Sequence, residues 1–273
     1  MVAIPKLPPS SIGFSFSPGG LLFPYHLGVI TSLSHQGRLP DSTHLAGASA
    51  GSIAVASHAA KTPPDLALEA AFRVCEICET QFGGKAVGKL LPLLKTELEK
   101  TFPDEAHEII NEREGVVALA HRELFPNFRP VLTTQFDTRE DLIEAVCDSS
   151  MFPFFSTPFP VRLKYKEGQR FPKVIVDGFF SVPRERYGCP DFSHLNFDCG
   201  TASDECYIPP VVERTITVGC FPHETVGLTA SEKHDQISPE PDYDNPVGQM
   251  TSLFKYATQP SSRKELELSL IHI

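Results

Sequence analysis

The sequence predicts an α/β fold with three layers, in which helices flank a central, mostly parallel sheet. Two observations support this prediction. Short apolar segments with the period of a strand alternate with longer segments that have helical spacing. Glycine-rich turns follow the first two predicted strands, as expected where a strand passes into a crossover helix. At 273 residues, the chain is long enough to bury an ample core.

The first predicted unit is strand, glycine loop, helix, strand and helix. Residues 12–17 alternate apolar and small side chains, which predicts a strand. Pro18–Gly20 ends this strand, and residues 24–37 follow with helical spacing, proline in the first turn and glycine at the end. His44–Ala46 predicts a short buried strand. Residues 52–57 are small and apolar, as at the start of a tightly packed helix.

The rest of the chain predicts more helices, further strands and a polar C-terminal segment. After residue 221 the chain is polar and proline-rich, which predicts a long surface loop or linker. Helices are expected at residues 66–82, 87–101, 104–124, 139–147 and near 247–256, and strands at 129–134, 173–176 and 211–221.

The predicted domain organisation has three parts. Residues 1–11 form an N-terminal extension, residues 12–221 the main domain, and residues 222–273 the polar C-terminal segment. Leu268–Ile273 resembles the translation of a sequencing-library transposon end. We therefore expect residues 268–273 to be non-native and the natural C-terminus to be missing.

Composition restricts the classes of partner. The net charge of −10 argues against a nucleic-acid surface and disfavours simple electrostatic adhesion to anionic lipid. No apolar run approaches the ~20 residues that span a bilayer, and the N-terminus lacks the apolar core of a secretory signal. Seven cysteines without framework spacing predict free thiols in a reducing, intracellular compartment. Cys75 and Cys78 lie inside a helical pattern and are predicted to be buried thiols rather than zinc ligands.

The segment Gly47–Gly51 has the pattern G-x-S-x-G between a predicted strand and a predicted helix. In that context the pattern predicts a nucleophile elbow, in which Gly47 and Gly51 allow a sharp turn. The hydroxyl of Ser49 is then exposed at the helix N-terminus, where backbone N–H groups favour negative charge. The alternative is a glycine-rich turn with a helix-capping serine.

Two further segments carry groups that acyl transfer requires. Gly19 and Gly20 lie at the exit of the neighbouring strand, where glycine lets backbone N–H donors approach an oxyanion. A plain turn between strand and helix is the alternative. Asp177 ends the strand 173–176 and precedes Gly178, and open α/β sheets carry functional groups at such strand ends. A simple Asp-Gly turn is the alternative there.

Residues 148–160 are rich in aromatic residues and proline, which excludes a regular helix or a central strand. They predict either an apolar wall that receives acyl chains or a buried connecting loop. Phe152, Phe154, Phe155 and Phe159 are the candidates for membrane contact if this segment is exposed.

Taken together, four segments resemble the patatin-like phospholipases. Residues 16–29 resemble the family's oxyanion-loop block, most closely that of its adiponutrin-type branch, and residues 47–51 resemble its elbow. Residues 145–153 resemble its serine-and-proline block and residues 176–178 its aspartate strand. The four occur in family order over roughly residues 12–180, which implies a patatin-like catalytic domain.

The resemblance implies a serine–aspartate dyad that works without a catalytic histidine. Ser49 attacks the ester carbonyl and Asp177 accepts its proton, while backbone N–H groups around Gly19, Gly20 and Ala50 hold the oxyanion. It implies a lipid acyl hydrolase that needs no metal or cofactor. The expected substrate is a glycerolipid (phospholipid, galactolipid or acylglycerol) at a membrane or lipid-droplet surface. The protein is expected to be cytoplasmic and to associate peripherally with that surface.

Two alternatives stay open at this point. Phe179, Phe23 and Pro18 depart from the family pattern, so a catalytically weak or dead lipid-binding scaffold of the same fold is the first. An α/β-hydrolase triad that adds His223 or His234 to the dyad is the second. Only about two strands precede the elbow here, whereas that fold places most of its sheet before it, which argues against the triad.

Overall fold

The computed structural model describes residues 11–165, 170–194 and 212–271, which form a mixed sheet with flanking helices. The strands are β1 (Ile12–Phe16), β2 (His44–Gly47), β3 (Val117–Phe125), β4 (Arg129–Thr133), β5 (Arg162–Lys164), β6 (Lys173–Val176), β7 (Arg214–Val218) and β8 (Gln236–Ile237). The helices are α1 (Phe23–His35), α2 (Ala50–Ala59), α3 (Pro64–Phe82), α4 (Leu90–Thr101), α5 (Ala106–Asn111), α6 (Arg139–Ser149), α7 (His223–Val226), α8 (Pro246–Thr258) and α9 (Arg263–Ile271).

The sheet has the order β5-β6-β3-β2-β1-β7-β8, with β4 paired to β3. The neighbouring strands β3, β2, β1, β7 and β8 are parallel to one another. Strands β4 and β6 run antiparallel to β3, and β5 runs antiparallel to β6. The predicted α/β class with a mostly parallel sheet is confirmed. Helix α2 packs on the central strands and contacts α1, α3 and α6, so the main core lies on that side of the sheet.

Strand β3 brings two segments of the chain together end to end. Residues 117–119 of β3 pair in parallel with β2, residues 122–125 pair antiparallel with β6, and β4 occupies the other edge. Strand β6 therefore continues the line of β2 in the opposite direction. The chain leaving β2 and the chain leaving β6 meet at the same point beside β3.

The helix predicted for residues 104–124 is wrong over its second half. Only α5 is helical there, and Val117–Phe125 forms the long central strand β3. Residues 117–121 are all buried because both faces of the strand are covered. A strand buried on both faces lacks the alternation that identifies a strand, so its apolar run is easily taken for a helix.

The segment after Pro222 is more ordered than a surface loop. Strand β8 adds to the sheet beside β7, and α9 packs against α1. Leu266 of α9 is buried against Phe72 and Cys75 of α3. The predicted domain boundary at residue 221 stays a prediction. Of the predicted N-terminal extension, residues 1–10 lie outside the described part of the chain. Residues 268–271, which are predicted to be non-native, continue helix α9.

Candidate active site

Ser49 lies in a sharp turn between β2 and α2. Its backbone has φ 52° and ψ −121°, a conformation that costs free energy for any residue with a side chain. A Cβ atom on Gly47 would lie 2.4 Å from the carbonyl oxygen of Gly51, and one on Gly51 would lie 2.5 Å from that of Phe16. The Ser49 side chain makes no capping hydrogen bond to the helix. The geometry is that of an elbow rather than of a helix-capping turn.

Asp177 lies at the end of β6, where the two chain segments meet. Its backbone N–H donates to the carbonyl oxygen of Met151 at 2.9 Å, and its Oδ1 accepts a hydrogen bond from the N–H of Phe179 at 2.8 Å. A Cβ atom on Gly178 would lie 2.7 Å from Cβ of Ala48, the residue before Ser49. The backbone around Asp177 is thus packed directly against the elbow.

The Asp177 carboxyl group is fully buried, and its Oδ2 has no hydrogen-bond partner among the described residues. Burial raises the pKa of Asp177 to about 7, opposed by the hydrogen bond from Phe179 N–H and by the nearby hydroxyl of Ser49. No hydrogen bond of ordinary geometry joins Ser49 to Oδ2. The site therefore offers one proton-accepting oxygen, close to the serine and otherwise unused.

The turn at Gly19 and Gly20 faces the elbow. Gly20 has φ +56°, and a Cβ atom on it would lie 2.3 Å from the carbonyl oxygen of Ala257 in α8. A Cβ atom on Gly19 would lie 2.6 Å from Sγ of Cys220 and 3.6 Å from Cβ of Ala50. The turn is closed by a hydrogen bond from Leu22 N–H to Gly19 O, and the first N–H groups of such a turn stay outside its hydrogen bonds.

Several supporting contacts come from groups that the sequence pattern does not identify individually. The Ser49 N–H donates to Oγ of Ser149 at 3.0 Å, so the end of α6 fixes the elbow. The buried ring of His26 holds the carbonyl oxygen of Ser17 through Nε2 at 2.8 Å, and burial lowers the pKa of His26 to about 4. Each residue lies in a segment that resembles the family, Ser149 in residues 145–153 and His26 in residues 16–29, but neither segment predicts the individual contact.

An apolar cleft opens beside Ser49 between α2, α3 and α4, with about 850 Å³ of open space. Its floor follows α2 from Ser49 through Ile53 to Ser57, three positions on one face of that helix. At 1.5 Å per residue, the floor is about 12 Å long. The walls are formed mainly by small and apolar side chains: Ala67, Ala70, Ala71, Val74, Leu90, Leu91, Leu94, Leu98 and Phe155.

The aromatic segment is partly an apolar wall, and it is not the buried connecting loop of the alternative prediction. Phe155 lines the cleft, and the ring of Phe152 packs against those of Phe155 and Phe179. Phe154 and Phe159 are exposed. The segment is a wall of the cleft on one side and a surface loop on the other.

The histidines of the alternative triad are not joined to the candidate dyad. Both ring nitrogens of His223 are buried without a hydrogen-bond partner of ordinary geometry among the described residues, and burial lowers the pKa of His223 to about 4. His234 is exposed and lies 3.7 Å from Asp235. The described part of the chain contains no group of three or more His, Cys, Asp or Glu side chains placed to hold a metal ion.

The chain is similar to known proteins over most of its length. Residues 14–185 match the model of a family described as patatin-like phospholipase. The patatin-like phospholipase domain-containing protein 4 of Homo sapiens is 31% identical over 173 residues, which are 61% of this chain and 64% of that protein. VipD from Legionella pneumophila is 13% identical with a TM-score of 0.37, and the match covers 90% of this chain and 56% of the other. This chain spans less than two thirds of either protein.

Proposed function

The chain belongs to the patatin-like phospholipase family, and from that premise we propose that it is a lipid acyl hydrolase using Ser49 and Asp177. Family membership supports esterase or lipase activity. The proposed dyad rests on one observation: a serine in a strained turn lies beside a buried aspartate whose Oδ2 has no partner in the described structure. Membership of the adiponutrin-type branch rests on residues 16–29 alone and stays a prediction.

In the proposed reaction, Oγ of Ser49 attacks the ester carbonyl carbon while its proton passes to Oδ2 of Asp177. The backbone N–H groups of Gly19, Gly20 and Ala50 stabilise the negative oxygen of the tetrahedral intermediate. The C–O bond to the alcohol then breaks, and the leaving oxygen takes the proton from Asp177. Water then attacks the acyl-enzyme and gives a proton to Asp177. The bond from Oγ of Ser49 to the acyl carbon breaks, Asp177 returns that proton to Oγ, and the fatty acid is released.

The environment of Asp177 suits this double role. A carboxylate with the ordinary pKa of about 4 is a weak base, whereas a pKa of about 7 makes proton gain and proton return comparably favourable near neutral pH. The hydrogen bond from Phe179 N–H holds Oδ1 and leaves Oδ2 toward the serine side. Phe179 departs from the family pattern in its side chain, but it positions Asp177 through its backbone N–H.

The cleft supports a lipid substrate. Its apolar walls and its floor of about 12 Å along α2 match an extended acyl chain of about ten carbon atoms beyond the ester. We propose a glycerolipid as substrate on this ground together with the family. The lipid-binding scaffold without activity stays the alternative because Pro18 and Phe23 depart from the family pattern in the oxyanion loop, but family membership does not favour it.

The test is hydrolysis of p-nitrophenyl esters from butyrate to palmitate, with phosphonate labelling of the serine. We expect Ser49→Ala to abolish turnover and labelling, and Asp177→Asn to lower kcat by about 10³-fold or more, as for loss of a general base or oxyanion donor. His223→Ala is the matched control and should retain activity. Loss of activity in folded His223→Ala would support the triad, and an inactive, unlabelled wild type would support the scaffold.

A further inference from the structure

Within the described part of the chain, one face of the antiparallel end of the sheet has no α-helix packed on it. The short turn Gly178–Ser181 borders this end, where the carbonyl oxygen of Phe180 accepts a hydrogen bond from Arg122. Leu163, Val174 and Phe125 are cross-strand partners in β5, β6 and β3, so their side chains share a face. Arg162, which points to the opposite face, binds Asp148 of α6 at 2.5 Å. Helix α6 therefore covers one face, and the face with Leu163 and Phe125 is left open.

Large apolar side chains are concentrated at this open end. The exposed fraction of each of these residues is between 44% and 77%: Phe125, Phe128, Leu163, Tyr165 and Phe171. A soluble protein rarely exposes so many together without a binding role. We call this region, with its two flanking arginines, the exposed sheet face; it consists of Phe125, Phe128, Leu163, Tyr165, Phe171, Arg122 and Arg170.

The charge of this region is opposite to that of the whole chain. The guanidinium of Arg122 lies 4.6 Å from the ring centre of Phe128, and that of Arg170 lies 5.3 Å from the ring centre of Phe171. The described residues of β4, β5, β6 and the outer half of β3 include one acidic residue, Glu123. Its side chain is fully buried, and its Oε2 lies 3.4 Å from Nζ of Lys173. A protein with 34 acidic residues thus exposes none on these strands.

An apolar groove lies between the exposed sheet face and the cleft. Met151, Phe159 and Leu163 line this groove together with Leu91, which is also a wall of the cleft beside Ser49. The groove is lined almost entirely by carbon atoms, with Arg162 at its edge. The groove thus shares Leu163 with the exposed sheet face and Leu91 with the cleft.

We propose that the exposed sheet face docks on a bilayer that contains anionic lipid, with the groove leading acyl chains to the cleft. Aromatic rings with polar edges are favoured at the boundary between head groups and acyl chains. Each arginine near an anionic surface strengthens binding about fivefold. Docking stands on this surface alone, whereas the delivery of chains to Ser49 rests on the proposed function.

The experiment is co-sedimentation with phosphatidylcholine vesicles, with and without phosphatidylserine, in the Ser49→Ala background so that no lipid is cleaved. The test variant is Phe128→Ser with Phe171→Ser, which removes two exposed rings. The matched control is Val247→Ser with Phe254→Ser, which removes two equally exposed apolar side chains on α8. Light scattering reports the oligomeric state of each variant.

We expect the wild-type surface to bind vesicles with phosphatidylserine better than those without it. The test variant should lower the partition coefficient about tenfold or more, given the transfer free energy of two aromatic rings, and the control should not. Arg170→Gln should weaken the preference for phosphatidylserine. With the native Ser49, the test variant should still hydrolyse p-nitrophenyl butyrate, which separates docking from catalysis.

Three results would overturn the proposal. The first is equal vesicle binding by the test variant and the wild type, and the second is equal loss in the control. The third is a wild-type dimer that the test variant converts to a monomer, since the exposed sheet face is then an interface between two copies. An inactive wild type that binds vesicles as expected would contradict the proposed function and leave docking supported.

Discussion

At the scale of single residues, the burial of Asp177 determines how the proposed reaction responds to pH. Asp177 must be ionised to accept the serine proton, and its pKa is about 7. We expect kcat/KM for a soluble ester to rise with pH with a midpoint near 7. His223, whose pKa is lowered to about 4 by burial, is the control, since His223→Ala should leave the midpoint unchanged. A midpoint that moves in His223→Ala would contradict the assignment.

The same carboxyl group should cost stability. The pKa of Asp177 is raised on folding from 3.8 to about 7, so the folded state binds more protons than the unfolded chain in this window and stability falls as pH rises through it. Asp177→Asn removes the titration while keeping an acceptor for Phe179 N–H. Its Tm should exceed that of the wild type above the pKa, by about 2–4 °C for each kcal/mol relieved, with a smaller difference at acidic pH. Calorimetry across this range checks it, and a lower Tm for Asp177→Asn would contradict it.

The residues of the site could be predicted from sequence because their chemistry requires particular side chains. Glycines around Ser49 and after Asp177 indicate close backbone approaches, and a Cβ atom on Gly47, Gly51 or Gly178 would lie 2.4–2.7 Å from a neighbouring atom. The carbonyl oxygen of Met151, which holds Asp177, could not be predicted since any residue supplies one. The roles of Ser49 and Asp177 themselves stay predictions until tested.

At the scale of elements, the cleft depends on how α2, α3 and α4 pack, which no short sequence pattern specifies. Its distal end is at Ser57, a buried small residue on the floor. We expect Ser57→Leu to shorten the preferred acyl chain. Each methylene excluded from the cleft should lower kcat/KM about fourfold, from about 0.8 kcal/mol per buried CH₂.

The ester series from butyrate to palmitate measures this shift. Butyrate hydrolysis should be unchanged, since its short chain does not reach Ser57. Thr251→Leu, an equally small-to-large change at an exposed position of α8, is the matched control. An unaltered chain-length profile in Ser57→Leu would show that acyl chains bind elsewhere.

Strand β3 shows where sequence patterns mislead at this scale. Its residues 117–121 are buried on both faces, so the period of a strand is absent from the sequence. The strands that were predicted, such as β1 and β6, either alternate or are bounded by glycine and proline. The prediction therefore failed for the strand that carries the most partners, because central position in the sheet removes the local signal.

At the scale of the whole molecule, the C-terminal helices support the site although the family match ends at residue 185. The carbonyl oxygen of Ala257 in α8 approaches Gly20, Leu266 of α9 is buried on α3, and Arg263 pairs with Glu69. Removal of residues 246–273 should lower both Tm and kcat.

Leu266→Ala separates the two effects. It should reduce stability by about 2–5 kcal/mol, as for other buried leucines, while α8 continues to support Gly20 and kcat is retained at low temperature. Denaturant unfolding and ester hydrolysis measure the two quantities. A truncated protein with the stability and kcat of the full chain would contradict a supporting role for these helices.

The net charge describes the whole molecule and does not show how charged side chains are distributed over its surface. The value of −10 predicts weak adhesion to anionic lipid, yet the described residues of β4, β5, β6 and the outer half of β3 expose no acidic side chain, since Glu123 is buried. Within the described residues no helix is long and apolar enough to cross a bilayer. Contact with a membrane is therefore proposed through a surface whose composition differs from that of the chain as a whole.

The hydrogen bond from Asp177 N–H to Met151 O has a consequence for engineering and for divergence within the family. It joins the two ends of residues 152–176, so this stretch leaves the site and returns to it at one fixed point. Four members of the exposed sheet face lie within it: Leu163, Tyr165, Arg170 and Phe171. A graft of this stretch from a relative is expected to change the exposed sheet face, and through Phe155 the wall of the cleft, while the position of the aspartate is retained.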